Sequence, residues 1–254
     1  TGCVAGMTGS ANVVVNSLPV AFSVTGGGGY CTGGSGMPVG LAWSASGVNY
    51  RLYKDGVAVG GAVAGINGAL SFGTFTSAGV YTVAAVSAAG CAQNMSGAAT
   101  ISINPLPADF TVTGTGGYCA GTAGLNVTLS GSETGVGYTL YSGGLPTTYT
   151  ASGTGSAIDF GPVTAGTYSV VALNAATLCS RTLSGTAVIS ISSLPVTYAV
   201  SGGGSYCSGA SGVNISLAGS QSGVNYALYN GASVVGTSVA GTGSGHSTVR
   251  CVRR

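Results

Sequence analysis

The sequence predicts an all-β protein: tandem two-sheet sandwiches of about seven strands each. Three observations carry this reading. The chain repeats every 88 residues, so Leu18, Leu106 and Leu194 open the same phrases, and a fixed period of that kind marks a repeat architecture. Val, Ile, Tyr and Thr alternate with small or polar residues in short runs, as half-buried strands require. No window sustains a helical apolar period.

The repeat sets the organisation. Residues 1–17 read as the final strand of a preceding copy, because Cys3, Cys91 and Cys179 share one position and Val13–Val15 stand where Ile101–Ile103 do. Residues 18–105 and 106–193 are complete copies. Residues 194–254 are an incomplete third copy that follows the template to Ser244 and departs from 245 onward. That tail reads as a premature end or altered frame of a longer array.

Within the second copy, strands are expected at 109–113, 125–130, 138–141, 147–150, 157–160, 166–173 and 187–192. The glycine-rich stretches at 26–29, 114–117 and 202–204 are expected to be strand-to-strand turns. Short strands punctuated by Gly and Ser fit a sandwich. The stretches Ala78–Ala85 and Ala165–Ala172 each place Gly two residues before Tyr at the head of a long strand. That pattern marks Tyr81 and Tyr168 as tyrosine corners, with the hydroxyl bonding backbone across the bend.

Composition limits the chemistry. Charged residues are 4% of the chain, against about 25% in ordinary domains. Hydrophobic residues reach 45%, which argues for a packed fold despite 48 glycines. Three of the six basic residues, Arg250, Arg253 and Arg254, crowd the last five positions. The remainder forms no basic patch, so nucleic acid is not an expected partner. No apolar run is long enough for a transmembrane segment. His246 is the single histidine and sits in the departing tail, which leaves no Ser-His-Asp, Cys-His or His-metal constellation. Asp55, Asp109, Glu133 and Asp159 occupy different repeat positions, so no copy repeats a carboxylate pair or a Ca²⁺ cage. No enzyme activity, cofactor or metal is expected.

The recurring phrases Tyr-Cys-x-Gly at 30–33, 118–121 and 206–209, Tyr-x-Leu-Tyr at 50–53, 138–141 and 226–229, and Gly-Cys-x-x-x-Met at 2–7 and 90–95 resemble the tandem Ig-like repeats of secreted and cell-surface proteins of Bacteroidota, adhesins among them. The resemblance covers residues 1–244. It implies an extracellular or cell-surface location and a role in adhesion, stalk-building or fibre formation. It supplies no ligand and no catalytic residue.

Seven cysteines in a weakly charged β protein point to an oxidising compartment. Two pairings are open, beside free thiols or links between chains. One is within each copy, Cys31–Cys91 and Cys119–Cys179. The other crosses copies, Cys31–Cys179, because the cysteines of one sandwich lie at opposite ends and bonded Cα atoms must sit within about 7 Å. Cys251 belongs to no repeat position. Asn94, Asn126 and Asn214 each begin an N-glycosylation triplet, and glycans would shield a β surface otherwise short of charge. The partial ends raise strand donation between subunits, against which stands the third copy's missing sixth strand. Tyr53, Tyr141 and Tyr229 recur in register beside Leu52, Leu140 and Leu228; core or inter-domain packing is the expected use, and an exposed ladder that stacks sugars is the alternative. The function expected is a structural subunit that self-associates into a fibre or continues in a longer array. The alternative is a carbohydrate- or surface-binding module.

Overall fold

The computed structural model describes residues 1–243 and 248–251. His246 therefore lies outside the described residues. The chain divides into two compact units, Thr1–Thr115 with Asn126–Val188, and Gly116–Leu125 with Ile189–Arg254.

The first copy contains β1 (Val24–Gly26), β2 (Gly28–Cys31), β3 (Met37–Ser44), β4 (Val48–Lys54), β5 (Val57–Ala64), β6 (Gly68–Phe75), β7 (Gly79–Ser87), β8 (Ala92–Asn94) and β9 (Ala99–Asn104). One sheet runs β1-β3-β6 and the other β2-β9-β7-β4-β5, with β8 also on β7. The second copy repeats the plan with β10 (Val112–Thr113), β11 (Gly116–Cys119), β12 (Leu125–Leu129), β13 (Val136–Ser142), β14 (Leu145–Ser152), β15 (Ile158–Val163), β16 (Gly166–Asn174), β17 (Ser180–Thr182) and β18 (Ala187–Ser192). Its sheets are β10-β12-β15 and β11-β18-β16-β13-β14. A first strand that leaves one sheet and pairs parallel with the last strand of the other, as β2 does with β9, completes an Ig topology. The sandwiches are Ig-like.

Alternation chooses the core. Along β7 Tyr81, Val83 and Ala85 are buried and along β4 Tyr50 and Leu52 are; these meet Val39, Leu41, Met95 and Ile101 from neighbouring strands. Each fully buried aliphatic of this kind contributes about 1.5–3 kcal/mol. Tyr138, Leu140, Val170 and Ala172 repeat the arrangement in the second copy. The β4–β5 and β13–β14 hairpins close through Asp55-Gly56 and Gly143-Gly144, all with positive φ, the two-residue turn that matches strand twist.

The glycine-rich stretches are not simple turns. At Gly26 the chain passes from β1 into β2, changing sheets, with φ +95°. A Cβ there would meet the Pro38 carbonyl oxygen at 2.0 Å, and the equivalents Gly114 and Gly202 would meet those of Asn126 and Asn214 at 2.3 and 2.2 Å. Only glycine permits both the conformation and the close approach.

The third copy holds β19 (Val200–Gly202), β20 (Val213–Leu217), β21 (Asn225–Asn230), β22 (Ser233–Ala240) and β23 (Thr248–Cys251), in sheets β19-β20-β23 and β21-β22. Residues 248–251 keep the repeat's backbone plan. Val213 pairs Cys251 and Asn214 pairs Arg250, as Met37 pairs Phe75 and Pro38 pairs Thr74.

Candidate functional site: the junction between successive copies

The junction is built from strand ends. Cys31 closes β2, opposite Asn104 at the end of β9. The Asn104 carbonyl accepts the Thr32 N–H at 2.9 Å and the Thr32 hydroxyl at 3.1 Å. Cys179 lies in the turn after β16, where the Asn174 side chain accepts the N–H groups of Ala176 and Thr177. Leu178 takes a left-handed φ of +59° and points outward, 74% exposed, beside a fully buried Cys179.

Cys31 and Cys179 form a disulfide, with Cα atoms 5.5 Å apart and a sequence separation of 148. The within-copy pairing does not form: Cys91 and Cys119 carry free thiols, as do Cys3 and Cys207. Cys31 ends the second strand of the first copy and Cys179 lies in the turn after the long central strand of the second, so the bond crosses from one copy to the next.

A polar lock holds the entry to the second copy. The Arg181 guanidinium donates to the Pro107 carbonyl at 3.2 Å and stands 3.5 Å from the Asp109 carboxylate. Ser184 donates its backbone N–H to Asp109 at 2.9 Å and its hydroxyl to the other carboxylate oxygen. Those Ser184 bonds, with Arg181 adding to them, hold the Asp109 carboxyl below its ordinary range. A carboxyl lowered in the folded state stabilises above its unfolded pKa, about 3.9, and that contribution is lost as pH falls through the lower folded value. Urea midpoints of wild type should therefore drop more between pH 5 and pH 3 than those of Asp109→Asn; equal drops would refute the lock.

Other expected site residues are placed as follows. Tyr81 donates its hydroxyl to the Ser77 carbonyl at 2.9 Å and Tyr168 to that of Thr164 at 3.1 Å. Asn94, Asn126 and Asn214 are all exposed on strands, and the Asn126 amide donates to Asp159 at 2.8 Å. Tyr53 and Tyr141 are not core residues. Leu52 and Leu140 take the inward face, which leaves the tyrosines half-buried outside it, and Tyr229 is 59% exposed. Among the described residues no group of three His, Cys, Asp or Glu side chains could hold a metal ion.

Sequence reasoning missed the buried serines Ser44, Ser132 and Ser220. Ser44 donates to the Gly68 carbonyl at 2.8 Å and accepts the Ile66 N–H at 3.1 Å; Ser132 bridges Ser156 and Thr154 in the same way. Their 88-residue spacing was the available signal. The Asp109 lock had none, since Ala21 and Gln93 stand at the equivalent positions of Asp109 and Arg181.

No family model matches this sequence, and no curated protein matches it. Among solved structures, the chain is similar to a Ca²⁺-stabilised adhesin that helps an Antarctic bacterium reach out and bind ice, at 17% identity and TM-score 0.43, covering 91% of this chain and 66% of that one. It is also similar to fibronectin(III)-like modules of Clostridium thermocellum CbhA, at 13% identity and TM-score 0.37, covering 66% and 94%. A third likeness, to a 1.5-MDa bacterial ice-binding adhesin, has 12% identity and TM-score 0.32, covering 91% and 88%. Among the described residues no helix is long and apolar enough to cross a membrane.

Proposed function

We propose that this chain builds length: it is a structural segment of an extracellular fibre or surface adhesin stalk made of tandem Ig-like modules. The modules are the copies at 18–105 and 106–193 with the partial copies on either side. The observation that carries this reading is the Cys31–Cys179 bond, which joins one copy covalently to the next. A binding module needs no such tie, whereas a stalk under tension does. What recurs at each period is strands, turns, cysteines and buried tyrosines, and stacked repeats of this kind gain length by repetition. The exposed Asn94, Asn126 and Asn214 fit a glycan-covered surface, and an intact mass equal to the bare chain would exclude glycans. Electron microscopy of the purified protein tests the main reading. Ordered filaments or rigid rods are expected; dispersed monomers that bind a glycan array would favour a carbohydrate-binding module instead.

A further inference from the structure

The two complete copies differ on the outer face of their three-stranded sheets. In the first copy Gly40 pairs Thr25 on one side and Ser71 on the other. Both partners are exposed, so this row across the sheet carries two hydroxyls with no side chain between them. A Cβ at Gly40 would lie 2.6 Å from the Leu70 carbonyl oxygen and 3.2 Å from the Thr25 hydroxyl, which makes the gap a property of the backbone. The result is a groove of about 320 Å³ over the middle strand, at the lower end of the range for small-ligand sites. One period on, the same positions are filled. Thr128 stands where Gly40 does, and Asn126 and Asp159 stand where Pro38 and Ser71 do. The Thr113 and Thr128 hydroxyls bond each other at 2.7 Å, and the Asn126 amide donates to Asp159 at 2.8 Å.

The groove ends at an aromatic ring. Ladder partners step from Leu41–Leu70 to Ser44–Gly68, so Ala42 and Trp43 together oppose Ala69, which lines the groove. A bulge of this kind re-aims a side chain. Leu41 and Ser44 are buried, whereas Trp43 is 49% exposed. The second and third copies have glycine at this position, each under a ring: a Cβ at Gly131 would lie 2.6 Å from Phe110, and one at Gly219 would lie 2.4 Å from Tyr198. Their counterpart Phe22 packs against the core of the first copy, and Trp43 supplies the outer ring. This sheet face stays open within an array. In the second copy, which has repeat sequence before and after it, Thr113, Asn126 and Asp159 are exposed and Phe110 is half-buried.

We propose that this face of the first copy binds a neutral glycan. The C–H face of a sugar ring is weakly apolar and packs on an exposed indole, while its rim presents hydroxyls. The Thr25 and Ser71 hydroxyls can each donate and accept, as sugar hydroxyls do. Thr25 makes no hydrogen bond among the described residues. Ser71 accepts the Gly73 N–H at 3.2 Å, which leaves its own proton to donate. β1, β3 and β6 carry no charged side chain, so nothing on the face would draw a uronate, sulfate or phosphate out of water. A peptide strand is the poorer match. β3 is paired on both sides, and the groove floor offers no free backbone edge for strand addition. The second copy, with the same positions filled by its own side chains, adds length without the site.

Trp43 is the single tryptophan, so its fluorescence reads this face alone. The full chain is applied to an array of neutral and acidic glycans, then titrated with the strongest neutral ligand. A saturable blue shift and weaker acrylamide quenching of Trp43 are expected. Ser71→Asp, which places the second copy's residue in the groove and keeps the reporter, should weaken binding by about tenfold or more, the scale of a lost hydrogen bond with an added desolvated charge. Trp43→Ala should abolish retardation in affinity electrophoresis on the same glycan while circular dichroism is unchanged. An array with no neutral ligand, or with acidic glycans preferred, overturns the site. So does binding that leaves Trp43 emission unmoved, survives Trp43→Ala or ignores Ser71→Asp. A shift produced by a proline decamer and by no glycan identifies a peptide groove and overturns the glycan. The site is separable from the stalk reading. Filaments that bind no glycan overturn the site alone, and dispersed monomers that bind through Trp43 overturn the stalk alone.

Discussion

Tyr50→Ala should destabilise the first copy by about 3–5 kcal/mol, the usual cost of removing a large buried aromatic. The side chain has no exposed surface, and three segments depend on it. Its hydroxyl accepts the Ala45 N–H at 2.9 Å, which shapes the bend before β4. The backbone at Gly65 packs against the ring so closely that a Cβ there would lie 3.0 Å from it and 2.0 Å from the Ala45 carbonyl oxygen. Gly65 in turn donates its N–H to Val48 at 2.8 Å. Tyr50→Phe keeps the ring and deletes only the acceptor, so about 1–3 kcal/mol is expected for the N–H left behind. Trp43, the single tryptophan, lies in the same copy and reports its urea transition by fluorescence. Equal losses for the two variants would show that the hydroxyl, not the packing, carries the effect. The arrangement recurs at Tyr138 and Glu133, and at Tyr226 and Gln221, with 2.8 Å bonds.

Removing the junction disulfide, by Cys31→Ser with Cys179→Ser, should cost about 2–5 kcal/mol, the range for a cross-link closing a long loop. Its sequence separation of 148 places it at the upper part of that range. Cooperativity should change as well. With the bond intact, Trp43 fluorescence and far-ultraviolet circular dichroism should follow one transition; without it, Trp43 should report the first copy alone and the two curves should separate. Reduction of the unmodified protein provides the same comparison without placing serine at the buried Cys179 position. Coincident curves in both reduced and variant protein would show that the copies are coupled by packing.

Much of this fold was legible in the sequence because local and repeated signals agreed. The strand expected at 166–173 is Gly166–Asn174, since its alternation and its tyrosine corner both point to one long central strand. The hairpin strand expected at 147–150 extends over Leu145–Ser152, because the Gly143-Gly144 turn brings its start into register with β13, and turn geometry is a weaker signal than apolar alternation. Ser180–Thr182 carries no apolar pattern at all, yet it forms a strand through its ladder with β16. The glycine-rich stretches looked like turns because glycine content alone does not separate a reversal from a change of sheet. The junction was half legible: spacing supplied the candidate cysteines, while the choice between pairings needed the positions of strand ends. The Asp109 lock was invisible, since a period reveals what copies share and conceals what one copy adds.

The Cys31–Cys179 bond also governs how the protein would respond to pulling. Force applied along the chain from a residue before 31 to one after 179 passes through the sulfur atoms and bypasses everything between them. The bypassed segment amounts to roughly 500 Å of extended polypeptide at about 3.5 Å per residue, across the 148-residue separation. While oxidised, the junction keeps that length out of reach however hard the ends are drawn. A reducing environment would turn a short, stiff link into a long, yielding one, with the redox state of one pair of sulfur atoms setting the extensibility.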